Sequence, residues 1–464
     1  MVKTQKKAHK NLVKGTGISF FILLLVYLGM SVYFRNHFYF GTVINNTNVS
    51  GKTVDEVNKK IGADITSYVL ELEGRSNIKE KIAASDIDLK YNPKGKIKEL
   101  KDSQNPFKWV FGPFNKKNYT VSEIVSYNEE KLKKSMDKLA YFNNKNVVQP
   151  KDATLKYKSN GYEIVNEIYG SKVNKDKLYS KVKNAIISRE KTVNLESSDC
   201  YENPKYTSKS KEVMEAKKVL DKYVSSKITY DAEGKVKVLD GSTINNWLEV
   251  DKDLKVKINE EKVRNYVVTT LGPTYNTIGR SRNFNTSTGK TVRVNGGNYG
   301  WIINRAEEVK DIISSIQNGQ TISKQPKYIQ TAVSHDDNNI GNTYVEINLT
   351  KQHMWFYKNG ALVVEGDIVT GNVSNNNDTP EGTYILNYKE RNATLKGENY
   401  STKVSFWMPF NGGIGIHDAT WRKKFGENIY RNDGSHGCVN SPPYLAEAIF
   451  NNIKPGTPIV CYFE

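Results

Sequence analysis

Positions 15–34, GTGISFFILLLVYLGMSVYF, form the longest uncharged and mainly apolar run in the chain. Twenty residues at about 1.5 Å rise make a helix of about 30 Å, the thickness of a bilayer's hydrocarbon core. The run is apolar all round, so it has no polar face to turn toward water. Lys3, Lys6, Lys7, Lys10 and Lys14 precede it, and this places residues 1–14 in the cytoplasm and everything after Arg35 outside. A signal peptide would end in small residues. Here Ser31-Val32-Tyr33-Phe34-Arg35 is bulky, so the pattern predicts an uncleaved, single-pass anchor.

Past the anchor, period-two stretches alternate with helical ones in two blocks, 40–200 and 205–335, each predicted as a mixed α+β unit. Tyr127-Asn128-Glu129-Glu130-Lys131-Leu132 matches Ile258-Asn259-Glu260-Glu261-Lys262-Val263 at a helix start. Tyr162–Asn166, before a helix to Ile187, matches Gly300–Asn304, before a helix to Ile316. Upstream, Ala84-Ser85-Asp86-Ile87 echoes Gly241-Ser242-Thr243-Ile244. The order is the same in both blocks, which points to a diverged repeat. Only the first block carries Asn105–Phe114, with four aromatics suited to recognition or local packing. Polar residues at 195–210 and 334–342 predict linkers. From 340 to 464 the pattern becomes short strands: alternation over Tyr344–Leu349, a hairpin turning at Lys358-Asn359-Gly360, and a turn at Thr379-Pro380-Glu381-Gly382. The predicted architecture is thus multi-domain: a transmembrane helix, two α+β repeats and a mainly β C-terminal domain.

A length of 464 residues fits about three such domains. Hydrophobic residues at 38% exclude a disordered chain, and three Cys exclude a disulfide framework. The net charge of +18 points to an anionic partner: nucleic acid, lipid or wall polymer. Its distribution decides among them. Residues 1–35 carry +6, 36–200 +8, 201–339 +5 and 340–464 −1. The excess is Lys-rich, spread along the chain and outside by topology, and no nucleic-acid motif accompanies it, so nucleic acid is excluded. Membrane lipid and anionic wall polymers remain.

The reactive residue types cluster late. Ile414-Gly415-Ile416-His417-Asp418 ends a strand, and Ser435-His436-Gly437-Cys438-Val439-Asn440 follows. Either His417 or His436 can take a proton from the Cys438 thiol. Ser441 with Pro442 and Pro443 predicts a helix start whose positive end favours the thiolate. Gly437 lets a substrate approach, so the Gly437 and Cys438 amides are candidate oxyanion donors. A lone Cys is more often a small buried hydrophobe, which is the reading for Cys461 in the last strand. Cys200 has no His nearby and is assigned no role. His417, His436 and Cys438 are acceptable zinc ligands, but no compact second pair accompanies them and coordination would quench a nucleophilic thiolate. No metal or cofactor is expected.

His417, seventeen intervening residues, and then Ser435-His436-Gly437-Cys438-Val439-Asn440 resembles the signature of the YkuD-type L,D-transpeptidase catalytic domain. Tyr344–Gly371 and Thr379–Tyr384 resemble the opening of that domain, so the likeness spans about 340–464. More weakly, the repeats resemble the peptidoglycan-binding domains that precede it in Gram-positive wall enzymes. The resemblance implies Cys438 as nucleophile, His417 as general base and His436 as a supporting histidine. It also implies Ser435, Gly437, Asn440, Tyr400 and Trp407 as oxyanion or substrate contacts. Many members carry Arg where this chain has Asn440, so a contact to the donor carboxylate is not implied from that position. Asp418 is given no orienting role. Asn387–Pro409 falls where the family has a lid. The implied activity is a wall transpeptidase that forms 3→3 cross-links between stem peptides through a Cys438 thioester, releases D-Ala, and is acylated by carbapenems at the same sulfur. An L,D-carboxypeptidase using the same thioester and a non-catalytic wall-binding protein are the alternatives.

Overall fold

The computed structural model describes residues 2–464 except 115, 116, 122, 123, 144, 146, 160, 233, 398 and 399, with side chains from Gly15 onward other than that of Tyr400. The chain forms two compact units. One is Met1–Thr154 with Ile164–Ser210, and the other is Leu155–Glu163 with Lys211–Glu464.

The first unit opens with the helix Val2–Tyr33. Its Gly15–Tyr33 stretch has mean hydropathy 2.0 and is long and apolar enough to cross a membrane. Beyond it, the helices Val54–Thr66 and Lys175–Ser188 share one core with the sheet Thr192–Asn194, Val69–Glu73, Lys79–Ala83. Val57, Ile61 and Ile65 recur every fourth residue on the buried face of the first of these helices. At its start, Thr53 Oγ1 accepts from the Glu56 amide while the Glu56 carboxylate accepts from the Thr53 amide, a reciprocal cap. The linker expected at 195–210 needs correction. Leu195, Cys200 and Tyr201 are buried in the unit's core, and the Tyr201 hydroxyl accepts from the Arg75 amide at 2.7 Å. The polar letters between them are turns joining buried anchors.

The internal matches hold at the helix caps: Asn128 and Asn259 cap one pair of helices, and Asn174 and Asn304 the other. One match shifts. Gly161–Val165 is a strand of a hairpin with Thr154–Lys158, so the counterpart of Gly300–Asn304 is Gly170–Asn174. Period-two alternation there marks a hairpin strand, whose partner in the second block is Arg282–Asn285 with Thr291–Val294.

In the second unit, helices Lys211–Val224 and Arg305–Asn318 share a core with the sheet Lys235–Leu239, Lys227–Ala232, Thr321–Lys324. The C-terminal region holds two sheets. Five strands run in the order Ala361–Asp367, His353–Lys358, Tyr344–Asn348, Pro458–Tyr462, Gly382–Ile385. Four run in the order Glu390–Gly397, Tyr400–Asn411, Ile414–Asp418, Val439–Ser441. Leu445, Ala446, Ile449 and Phe450 of the helix Pro443–Asn452 join a core built from both sheets.

The 334–342 segment is not a loose linker either. Ile340 is buried with Phe284, Val294, Val460 and Tyr462. The buried Arg282 guanidinium donates to the carbonyls of Asn338, Arg280, Thr277 and Tyr299. Nearby, Gly296–Tyr299 covers the edge strand Gly382–Ile385: the Tyr299 amide donates to Thr383 O and the Thr383 amide to Gly296 O. Gly297 has φ +90°, and a Cβ there would sit 2.0 Å from Thr383 O, so the approach needs glycine.

Candidate active site

Cys438 directly precedes the Val439–Ser441 strand, which pairs in parallel with Ile414–Asp418. Register sets His417 opposite Asn440. The turn before Cys438 is held from three sides. Ser435 Oγ donates to Cys438 O at 2.5 Å and accepts from the Gly437 amide at 3.0 Å. Thr379 Oγ1 donates to Gly437 O at 2.6 Å and accepts from the Gly371 amide at 3.0 Å. Val369 and Asn440 exchange both backbone hydrogen bonds at 2.9 Å. Gly437 has φ +111°, a conformation side chains rarely adopt, and a Cβ would come within 3.1 Å of Ile414.

His417 is 3% exposed, and its Nδ1 lies 2.9 Å from Asp418 O. A carbonyl only accepts, so Nδ1 carries the proton and Nε2 is the basic nitrogen. The Asp418 carboxylate turns elsewhere: its Oδ1 accepts from the amides of Ser405 and Phe406 at 2.7 and 2.8 Å. Two successive amides on one acceptor, opposite Asn392 at φ +54°, interrupt the pairing of the 390–411 hairpin between Arg391–Phe406 and Ala393–Val404 without inserting a residue into either strand. The side-chain alternation shifts there, so that Val404 and Trp407 both pack with Cys438 while Phe406 and Met408 enter the main core.

Burial pushes the Cys438 thiol above its ordinary range, with the Gly415 backbone amide pulling the other way. Burial also pulls the His417 imidazole down, against the opposing effect of Asp418. Both shifts favour a resting pair of neutral thiol and neutral imidazole. Sγ lies 3.6 Å from Gly413 O, the acceptor available to an S–H.

A cavity of about 400 Å³ brings together Cys438, His417, His436, Ser435 and Asn440 with Trp421, Arg422, Gly434, Leu395 and Thr402. Gly437 and Trp407 support the site from outside the lining, and the Tyr400 side chain lies outside the described residues. Two expectations change. The Gly437 amide is committed to Ser435 Oγ, so it is not a free oxyanion donor. The helix starts at Pro443 rather than Ser441, and Ser441 belongs to a strand. Five nearly extended residues at about 3.3 Å each leave its end too far from Cys438 for a dipole that fades within one turn. Arg422, Trp421 and Thr379 were not anticipated. Arg422 bonds Asp433 through Nη1 and Nη2 at 3.0 and 2.6 Å, and its Nε is buried without a partner. Among the described residues, no cluster of three His, Cys, Asp or Glu could hold a metal ion. Cys200 and Cys461 are buried, and desolvation raises both thiols.

Residues 342–461 match the YkuD family, described as the L,D-transpeptidase catalytic domain. Residues 80–194 and 206–323 each match a family described as "Putative peptidoglycan binding domain". A crystal structure of a Cys-to-Ser mutant of Enterococcus faecium L,D-transpeptidase is 34% identical, with 54% of this chain and all of that chain covered and a TM-score of 0.43. The chain belongs to the L,D-transpeptidase family. A related structure, the Ldtfm-avibactam carbamoyl enzyme, is 35% identical over 54% of this chain and 98% of that one, at TM-score 0.44. The catalytic domain of the E. faecium enzyme acylated by ertapenem is 40% identical over 26% of this chain and 98% of that one, at TM-score 0.25. Curated proteins yield no match. The two regions matching the peptidoglycan-binding family lie within the blocks 40–200 and 205–335.

Proposed function

We propose that the protein is a membrane-anchored transpeptidase that makes 3→3 cross-links in peptidoglycan through a thioester on Cys438. The observation that carries this reading is the lining of one cavity by Cys438 and by a His417 whose tautomer leaves Nε2 basic. Nε2 takes the thiol proton as Sγ attacks the carbonyl of the third residue of a tetrapeptide stem. The C–N bond to D-Ala breaks, and the proton returns to the departing amine. The side-chain amine of a neighbouring stem's third residue then attacks the thioester and frees the thiol. No cofactor enters. The Cys438 amide is assigned to the oxyanion, since the Gly437 amide is engaged. His436, exposed at the mouth, supports the thiolate as it forms, and Ser435 holds the turn. Arg422 is assigned to the donor's carboxylate, the role that Asn440 is too short and uncharged to fill. Tyr400 and Trp407 belong to the hairpin at the substrate's side.

Residues 15–34 anchor the chain with 1–14 in the cytoplasm. The α+β repeats at 40–200 and 205–335 contact peptidoglycan and anionic wall polymers, and 340–464 act outside the membrane. Detergent-solubilised protein incubated with disaccharide-tetrapeptide tests the reaction by mass spectrometry. A dimer lacking one D-Ala is expected, along with a carbapenem adduct on Cys438. Tripeptide monomer without dimer identifies the hydrolytic alternative. Absence of both product and adduct overturns an enzymatic role.

A further inference from the structure

The Asn105–Phe114 segment of the first unit is not explained by catalysis or by the repeat, which lacks it in the second block. Pro106–Phe111 is a short 3₁₀ helix capped by Asn105, whose side chain accepts from the Phe107 amide. It lies along the outer end of the apolar helix. Tyr27 donates its hydroxyl to Phe107 O at 2.7 Å, and the Trp109 ring stacks on Phe34 at 5.8 Å. Gly112 fixes the far side, because a Cβ there would lie 3.0 Å from both Phe40 O and the Tyr39 Cβ. The segment is thus fastened through Trp109, yet its three Phe side chains face outward: Phe107 is 57% exposed, Phe111 63% and Phe114 86%. Fixed aromatics left in solvent call for a partner.

We infer that this segment is a second membrane contact, an aromatic wedge that enters the outer leaflet beside the anchor helix. The inference rests on the anchor reading above. Tyr27 lies six residues before the helix end at Tyr33, about 9 Å along the axis. Phe107 is held at that level, within the depth of about 5–10 Å that interfacial segments reach. Leu24 and Leu28, either side of Tyr27 on the anchor helix, are 40% and 43% exposed. Exposed Arg35, Lys108 and Lys117 in the same region suit anionic headgroups.

The full chain, with p-benzoylphenylalanine at position 24, 107 or 111, is placed in nanodiscs of phosphatidylglycerol and phosphatidylcholine and irradiated. Lipid adducts are expected at all three positions, with yields at 107 and 111 within about threefold of that at 24. Adducts at 24 with none at 107 and 111 overturn the wedge while sparing the anchor. Absence of adducts at 24 overturns the anchor and the wedge with it.

Discussion

The neutral resting pair makes a prediction about pH that separates it from a preformed thiolate–imidazolium. The perturbation is pH, and the probe is alkylation of Cys438 by iodoacetamide. An ordinary thiol ionises near 8.5, and burial raises this one, so less than about 3% is thiolate at pH 7. A preformed ion pair with a pKa three units lower would be almost wholly thiolate. The rate at pH 7 barely tells them apart, because nucleophilicity falls by about 0.4–0.5 log unit per pKa unit and offsets about 20-fold of the gain. The slope does distinguish them. A neutral thiol is alkylated about 100-fold faster at pH 8 than at pH 6, whereas a preformed thiolate is flat across that range. Replacing His417 by Ala leaves this slope in place but lowers acylation by ertapenem by about 10²–10⁴. The lowered imidazole pKa adds a sign: His417 stays a neutral base below its ordinary value near 6.5, so the acid limb of acylation falls below about pH 6.5. A flat alkylation profile, or full acylation without His417, would refute the reasoning.

Thr379→Val keeps shape but strands the Gly371 amide and Gly437 carbonyl, costing about 1–3 kcal/mol and visible as a lower Tm with slowed acylation. Asp418→Leu removes the acceptor of the Ser405 and Phe406 amides. It should cost at least about 2 kcal/mol in denaturant melts and blue-shift or quench Trp407 emission as the strand register shifts. Arg422→Gln should raise KM for tetrapeptide donor by about tenfold while sparing iodoacetamide alkylation of Cys438, measured by steady-state kinetics and mass spectrometry. Ser441→Ala removes a buried hydroxyl that has no partner and should leave the Tm unchanged or raised.

Local signals were read well where one residue type does one job. The helix starts within Tyr127–Leu132 and Ile258–Val263 follow from backbone chemistry that a few neighbouring residues reveal, and the structure caps them with Asn128 and Asn259. That His417 and Cys438 line one cavity was visible through a spacing shared with the family, not through periodicity. What stayed hidden depends on distant partners. Leu195, Cys200 and Tyr201 sit among polar letters, and only the fold shows that they are core. The Asp418 carboxylate serves amides 12 and 13 residues away in the chain, and Thr379 bridges residues 58 positions apart from it and 8. Ser441 looked like a cap because Pro follows, yet pairing with Asp418 holds it in a strand.

The docking of the Arg282–Val294 hairpin on the last strand has a thermodynamic consequence. Phe284 and Val294 share a core with Val460 and Tyr462, and Ser287 donates to the otherwise buried Glu346 carboxylate. Unfolding the block 205–335 therefore strips apolar cover from the strand beside the centre of the five-stranded sheet and takes the Ser287 donors from the Glu346 carboxylate, leaving it the Tyr462 hydroxyl at 2.7 Å. Residues 211–464 should lose structure cooperatively, as one calorimetric transition. The boundary drawn by sequence families near residue 340 is then a boundary of ancestry and not of folding.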